Sequence, residues 1–137
     1  MPIATRTLLA GIALCTLPVL ALGAAAHHSM ERFDTKQEVT IMGTITRYEW
    51  ANPHVYVFVE ATAPNGDKVE WEIEGGPPAM MRRDGWSRET LNPGQVVTAV
   101  GNPGRNQYKD SMYLTRLERA DETLFSEDEW MGAMMTV

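Results

Sequence analysis

The sequence predicts a small, mainly β protein in which five strands close into a barrel. Segments rich in β-branched and aromatic residues, with apolar positions at every second residue, recur between residues 39 and 119. Short runs of Asn, Pro and Gly separate these segments, as expected for tight turns. Only one stretch, near residue 80, has the start and stop signals of a helix. We therefore expect one β domain over residues 39–120.

The first two strands are predicted on either side of a proline turn. β-branched residues dominate residues 39–46, and the strand is expected to continue to Trp50. Gly43 inside this run predicts a bulge or a sharp bend, which a small barrel requires. Residues 51–53, Ala-Asn-Pro, form the predicted turn. A second strand is expected over residues 54–62, with alternate valines on one face.

The third strand is predicted to form a hairpin with the second. An Asn-Gly pair at residues 65–66 predicts the turn, because both residues accept positive φ at little cost. Within the predicted strand, residues 68–74, apolar side chains alternate with Glu70, Glu72 and Glu74. The alternation predicts that the three carboxylates stand on a solvated face of the barrel.

The second half of the chain predicts a short helix and two further strands. Prolines suit the first turn of a helix over residues 78–84, and Gly85 suits its C-terminal stop. Residues 92–94, Asn-Pro-Gly, have the order of a type II turn. Strands are expected over residues 95–100 and 112–119, joined by a Gly- and Asn-rich loop. This element order predicts a five-stranded OB-like barrel with one short helix between strands 3 and 4.

The N-terminal segment predicts export. Arg6 precedes an apolar run over residues 8–22, and the small residues 24–26, all Ala, follow it. These are the positive, apolar and cleavage-site regions of a secretory signal peptide. The apolar run is too short, and too interrupted by Pro18, for a good membrane span. We therefore expect residues 1–26 to be removed, leaving a periplasmic or secreted protein with no stable membrane anchor.

The charge balance of the mature chain is strongly acidic. The full chain has 12 basic and 18 acidic residues, and loss of Arg6 with the signal leaves 11 basic residues and a net charge of −7. Phosphate contacts need clustered Lys and Arg, so we expect no nucleic acid partner. Cys15, the only cysteine, also lies in the predicted signal. The mature domain is therefore expected to have no disulfide and to depend on its core.

Two flanking segments complete the predicted organisation. Residues 27–38 are polar and His-rich and form an N-terminal arm, whereas residues 121–137 are acidic and then Met-rich and form a C-terminal tail. The tail carries Met131, Met134 and Met135. Their thioethers are soft ligands that suit Cu(I), but methionine more commonly fills apolar gaps.

The processed N-terminus is the sharpest candidate site. Cleavage after Ala26 makes His27 the first residue, whose α-amine and ring nitrogen can chelate one copper ion, with His28 or His54 supplying a further imidazole. Cleavage one residue earlier leaves an Ala-His-His terminus, in which the amine, two amides and the His28 ring can hold Cu(II) in a square plane. Both products favour copper, because nitrogen-rich planar sites suit Cu(II).

His54 has two interpretations. It is a copper ligand if the arm folds back onto the start of the second strand. Alternatively, it is a strand-edge histidine that is hydrogen-bonded to the turn at Asn52. The sequence leaves both open, because it does not show where the arm lies.

A second candidate site is an aromatic ligand-binding face, of the kind that OB barrels use for sugars or single strands. Its members are Trp50, Trp71 and Trp86, together with Tyr48 and Tyr56. Asn52, Arg82 and Arg83 are candidate polar contacts beside it. The alternative, which we favour, is that the three indoles pack in the core and at its rim.

One basic cluster stands out in this acidic chain. It consists of Arg82, Arg83 and Arg88. It can hold an anionic ligand, or it can pair with the glutamates of the third strand. Of these two interpretations we favour the pairing.

Five short blocks along residues 27–120 carry a family resemblance. They are His27-His28-Ser29, Trp50-Ala51-Asn52-Pro53-His54, Trp71-Glu72-Ile73-Glu74-Gly75-Gly76-Pro77, Arg82-Arg83-Asp84-Gly85-Trp86 and Leu91-Asn92-Pro93-Gly94. In this order they resemble a family of small exported bacterial proteins known only as a domain of unknown function. The resemblance implies a periplasmic or secreted bacterial protein and assigns no activity, so it identifies no catalytic residue. The acidic, Met-rich tail departs from the family pattern.

The sequence thus favours an exported binding protein over an enzyme. The main hypothesis is a domain that holds or delivers copper through His27, His28 and His54. The alternative is a module that binds a small ligand or another periplasmic protein through the aromatic face, without a metal. A copper enzyme that activates oxygen is a third hypothesis, for which the sequence shows no substrate platform.

Overall fold

The computed structural model describes residues 30–119 and 122–126. Six strands are formed in these ranges: β1 (Val39–Trp50), β2 (Val55–Thr62), β3 (Lys68–Glu74), β4 (Val96–Pro103), β5 (Ser111–Arg119) and β6 (Glu122–Ser126). A short helix, α1 (Pro78–Met81), follows β3 and continues into a 3₁₀ turn over Arg82–Asp84. A second 3₁₀ turn, Asn106–Tyr108, precedes β5.

The first five strands close into a barrel through the long strand β1. Its second half pairs antiparallel with β2, and its first half pairs antiparallel with β4. β2 pairs with β3, β4 pairs with β5, and the end of β3 pairs in parallel with the start of β5. The order β3-β2-β1-β4-β5 therefore returns to β3. A five-stranded closed sheet with one short helix between β3 and β4 is an OB fold, as the sequence predicts.

Three glycines explain how the strands are joined and how closely they approach. Gly66 has a φ of 91° in the β2–β3 hairpin, and Gly85 has a φ of 82° where the 3₁₀ turn after α1 ends. Both are conformations that glycine adopts without strain. Gly43 does not mark the bulge, which lies instead between Ile45 and Arg47. A Cβ at Gly43 would collide with the backbone of β2, so glycine allows a close approach of the two strands.

Apolar side chains that alternate along the strands fill the barrel, as the period-two pattern predicts. The buried core consists of Ile45, Trp50, Val55, Val57, Val59, Ile73, Met81, Trp86, Leu91, Val97, Ala99, Met112, Leu114 and Leu117. Met81 and Trp86 bring the segment around α1 into this core. That segment therefore covers the barrel rather than standing apart from it.

The segment before β1 is part of the domain. Phe33 is only 1% exposed and forms a β-bridge with Gly104. The Asp34 amide donates to the Pro103 carbonyl at 2.8 Å, and the Arg105 amide donates to the Arg32 carbonyl at 2.7 Å. The described part of the arm is thus held by a buried ring and by backbone hydrogen bonds.

The start of the predicted tail contains a strand that the sequence analysis did not anticipate. We assigned residues 121–137 to a tail, but residues 122–126 form β6, which pairs antiparallel with the second half of β5. β3 covers only the start of β5, so the rest of that edge is available to another strand. The Leu124 carbonyl also accepts a hydrogen bond from the Trp86 indole at 2.9 Å. Antiparallel pairing with the strand that directly precedes it, together with this hydrogen bond, therefore holds a segment whose own sequence is a weak strand signal.

Within the described residues, no helix has the length and apolar character needed to cross a membrane.

Candidate functional site

The most unusual side chain of the structure is Glu74, a carboxylate buried at the end of β3. We expected it to stand with Glu70 and Glu72 on a solvated strand face. It is instead 1% exposed, although it leaves the same face of the strand. An ionised carboxylate removed from water is costly unless partners compensate its charge. Its neighbours therefore determine what this position can do.

Arg32 covers Glu74 from the N-terminal arm. One guanidinium nitrogen lies 3.3 Å from Glu74 Oε2, and another lies 3.0 Å from Glu72 Oε1. The guanidinium carbon also lies 4.5 Å from the ring centre of Tyr108, in a cation–π arrangement. One arginine from the arm thus compensates two carboxylates of β3 and shields the deeper one from solvent.

His54 contacts Glu74 from the other side. Its Nδ1 lies 2.7 Å from Glu74 Oε1, and the imidazole is 22% exposed. The partner of this ring is therefore a buried carboxylate and not the turn at Asn52. A carboxylate beside Nδ1 favours the tautomer that carries its proton there, which leaves a lone pair on Nε2. Metal-binding histidines commonly have this arrangement, in which a carboxylate fixes the ring through its second nitrogen.

Tyr56 lies opposite Glu74 in the β2–β3 pairing and completes the group. Burial, and after it the negative charge of Glu74, raises the pKa of the Tyr56 hydroxyl above its usual value. Burial alone would lower the pKa of Arg32. The hydrogen bond to Glu72 and the charges of Glu74 and Glu72 nevertheless leave that pKa raised above its usual value. The phenol thus stays protonated and the guanidinium charged at neutral pH.

We refer to Glu74 with Arg32, His54, Tyr56 and Glu72 as the Glu74 cluster. From the sequence we named His54 as a candidate ligand and Tyr56 only as part of an aromatic face, and we did not find Arg32 or the special position of Glu74. One signal was present, because the register of a hairpin that turns at residues 65–66 places Tyr56 opposite Glu74. No local signal indicates that Arg32 reaches this face.

The predicted copper ligands are only partly within the described residues. Among residues 30–119 and 122–126, no group of three or more His, Cys, Asp or Glu side chains is arranged to bind an ion. His27 and His28, the other predicted ligands, lie outside the described residues. They precede Arg32 by five and four residues, so at about 3.6 Å per residue their Cα atoms lie within roughly 18 and 14 Å of the Arg32 Cα. The arm therefore begins within reach of His54.

The predicted aromatic face is not a single surface. Trp50 is 6% exposed and Trp86 is 3% exposed, and both belong to the core. Trp71 is half-buried and borders a separate apolar cleft of about 570 Å³, together with Met42 and Val69. The burial of two of the three indoles favours the packing interpretation of these residues.

We had favoured a pairing of the basic cluster with the glutamates of the third strand, and the structure does not show it. Arg82, Arg83 and Arg88 are exposed, and in the part of the chain that the structure describes none of them forms an ion pair with a carboxylate. The Arg82 guanidinium lies 5.6 Å from the ring centre of Trp50. Asn52 is exposed in the turn before β2, where its peptide bond to Pro53 is cis.

Solved structures with a similar fold have little sequence in common with this chain. The mitochondrial single-stranded DNA-binding protein Rim1 of S. cerevisiae is 12% identical and aligns over 66% of this chain and 95% of its own, with a TM-score of 0.46. The S. pombe Stn1–Ten1 complex is 14% identical over 72% of this chain and 66% of that chain, with a TM-score of 0.45. A small single-stranded DNA-binding protein from Streptomyces coelicolor is 9% identical and aligns over 62% of this chain and 92% of its own, with a TM-score of 0.41.

These neighbours correct one expectation. We excluded a nucleic acid partner because the mature chain is acidic. That exclusion is contradicted by the single-stranded DNA-binding proteins among these structures, whose likeness to this chain extends to the fold and assigns it no partner. Net charge describes the whole surface, whereas binding on an OB barrel depends on one local face.

Sequence comparison confirms the family resemblance that the five blocks suggested. No curated protein matches the chain. A model described as a family of unknown function, DUF6152, matches residues 16–112, which is more than half of the chain, and the protein belongs to this family.

Proposed function

We propose that this protein is an exported copper-binding protein whose site is completed when its processed N-terminus meets His54. One observation carries the proposal. His54 and the N-terminal arm converge on the same buried carboxylate, through a 2.7 Å contact from the imidazole and a 3.3 Å contact from Arg32. The histidines that precede Arg32 thus start from a fixed point beside a histidine whose ring is already oriented.

Export is the first premise of the proposal. The positive residue, apolar run and small residues at positions 1–26 support signal cleavage, and cleavage after Ala26 leaves His27 with a free α-amine. The amine and the His27 ring then offer two nitrogens from one residue. Copper binding by this route requires processing, because an uncleaved chain has no amine at His27.

The orientation of His54 is the second premise. Glu74 holds Nδ1, so the remaining nitrogen, Nε2, is the one available to a metal. Arg32 compensates the charge of Glu74, which keeps the carboxylate in place without a metal. A ligand fixed before binding loses little conformational freedom on binding, which favours affinity.

The proposed donor set favours copper. The His27 amine, the His27 ring and His54 Nε2 supply three nitrogens and no thiolate. Nitrogen donors suit Cu(II), which also leads the affinity order of the divalent ions. Three protein nitrogens leave further coordination positions to water or a partner, an arrangement that suits a protein that binds and transfers the ion.

The test is a Cu(II) titration of protein exported and processed by a bacterial host, with the N-terminus established by intact mass. We expect a mature chain that begins at His27 and binds one Cu(II) with sub-micromolar affinity. His27→Ala should abolish tight binding, and Glu74→Gln should weaken it by roughly 10–100-fold because it releases the ring of His54. Circular dichroism establishes that each variant is folded.

His28→Ala is the matched control for His54→Ala, because each variant removes one imidazole. We expect His54→Ala to lose tight binding and His28→Ala to retain it. Unchanged affinity in His27→Ala overturns the proposal. Loss of binding in His28→Ala, with His54→Ala unaffected, instead indicates the square-planar site of a chain that begins at Ala26, in which the Glu74 cluster has no part.

A further inference from the structure

The three arginines around α1 are the most conspicuous charges that the copper proposal does not use. We call Arg82, Arg83 and Arg88 the arginine rim. All three are exposed, and within the described residues no carboxylate forms an ion pair with any of them. They stand on a mature chain whose predicted net charge is −7. A positive cluster without partners on such a protein calls for an anionic occupant.

Other arginines of the domain are engaged with nearby carboxylates. Arg32 pairs with Glu72 and Glu74, and Arg105 lies 3.3 Å from Asp34. Two further pairs of this kind among the described residues are Arg47 with Glu49 and Arg116 with Glu118. The rim therefore differs from these four arginines in having no carboxylate partner among the described residues, and not in residue type.

The described chain ends close to the rim. The Trp86 indole donates to the Leu124 carbonyl at 2.9 Å, which ties β6 to the segment that carries the arginines. Trp86 is only three residues from Arg83 and two from Arg88. The next residues after β6 are an acidic run, Glu127-Asp128-Glu129.

The length of the connection allows the acidic run to meet the rim. Glu127 follows Leu124 by three residues and Glu129 by five. At about 3.6 Å per residue, their Cα atoms lie within roughly 11 and 18 Å of the Leu124 Cα. A single exposed ion pair is weak, but three acidic residues tethered beside three arginines interact at a high effective concentration.

We propose that the acidic run at residues 127–129 docks on the arginine rim. The chain's own tail then occupies the rim, and an external anion or acidic partner binds there only by displacing it. This inference is independent of copper, since it uses none of the proposed ligands. It also gives the acidic part of the tail a role inside the molecule.

Paramagnetic relaxation tests the contact in the mature protein. The only natural cysteine, Cys15, lies in the predicted signal, so Ala133→Cys provides a single position for a nitroxide label. We expect the label to broaden the side-chain Nε–H signals of Arg82, Arg83 and Arg88. The broadening should be lost in about 1 M salt, where the screening length falls to about 3 Å.

A tail variant, Glu127→Gln with Asp128→Asn and Glu129→Gln, keeps the same chain length and removes only the charges. We expect its spectrum to match the high-salt spectrum of the wild type. The matched control, Lys36→Gln with Lys109→Gln, removes two positive charges elsewhere and should leave the broadening intact. The proposal is overturned if the wild type shows no broadening of the rim signals, or if the neutral tail broadens them equally.

Discussion

Glu70 and Glu74 leave the same face of β3, four residues apart, and yet occupy opposite environments. Glu70 is exposed and accepts a 2.7 Å hydrogen bond from Thr46 at the barrel surface. Glu74 is 1% exposed and is enclosed by Arg32 and His54. The difference comes from the N-terminal arm, which covers one end of the strand and not the other. Chemistry at this face is therefore determined by what lies over the strand, not by the strand itself.

The largest loss of stability is expected from a substitution that detaches the N-terminal arm from the barrel. Phe33→Ala removes a ring that is 1% exposed and should lower the free energy of unfolding by about 4 kcal/mol. It should also make Glu74 resemble Glu70, since the arm no longer covers it. Urea denaturation measures the loss, and Met30→Ala, at an exposed position of the same arm, is the control. A loss below about 1 kcal/mol would mean that the arm is not anchored by Phe33.

The second prediction compares the two glutamates directly. Glu74→Gln disturbs a buried charged group and should cost about 3 kcal/mol, because Arg32 and His54 lose their common partner. Glu70→Gln changes an exposed side chain and should cost less than about 0.5 kcal/mol. Both are measured by urea denaturation at pH 7. Equal losses would contradict the comparison, since the arm would then make no difference to the two positions.

A smaller loss of stability is expected when Arg32 is changed instead of its partner Glu74. Arg32→Gln should cost about 2 kcal/mol, because Glu74 stays buried without the compensating charge of Arg32. Arg47, which pairs with Glu49 at an exposed position, provides the control. Arg47→Gln should cost no more than about 1 kcal/mol. A similar loss in both variants would show that burial of Glu74 does not depend on Arg32.

The smallest loss of stability is expected from a change that affects β6, the strand that pairs with the second half of β5. Trp86→Phe keeps an aromatic ring in the core but removes the hydrogen bond to the Leu124 carbonyl, which contributes about 1 kcal/mol. Amide exchange of residues 122–126 should accelerate more than that of β1. If exchange in β6 is unchanged, this hydrogen bond does not hold the strand.

The barrel could be predicted from the sequence because short-range patterns specify most of its strands and turns. The predicted third strand, residues 68–74, is the observed β3, and the first strand is predicted and observed over residues 39–50. Period-two alternation and the Asn-Gly turn supply this information. The second strand begins at Val55 rather than at His54, since His54 turns towards Glu74.

The site was predicted only in part, because it is assembled from distant segments. His54 is recognisable as a candidate from residue type alone. Its contact with Glu74 and the reach of Arg32 to the same carboxylate join residues that are 20 and 42 positions apart, respectively. No local pattern encodes such contacts. β6 escaped prediction for a different reason: it pairs with the strand that directly precedes it, but its own sequence is a weak strand signal.

The most direct test of the copper proposal is pulsed EPR of the copper-loaded mature protein, compared with its His54→Ala variant. The method detects the remote nitrogen of each coordinated imidazole. The proposal predicts two imidazoles in the wild type, from His27 and His54, and one in the variant. An identical spectrum in both proteins would contradict it, because His54 would then not be a ligand and its contact with Glu74 would serve the fold alone.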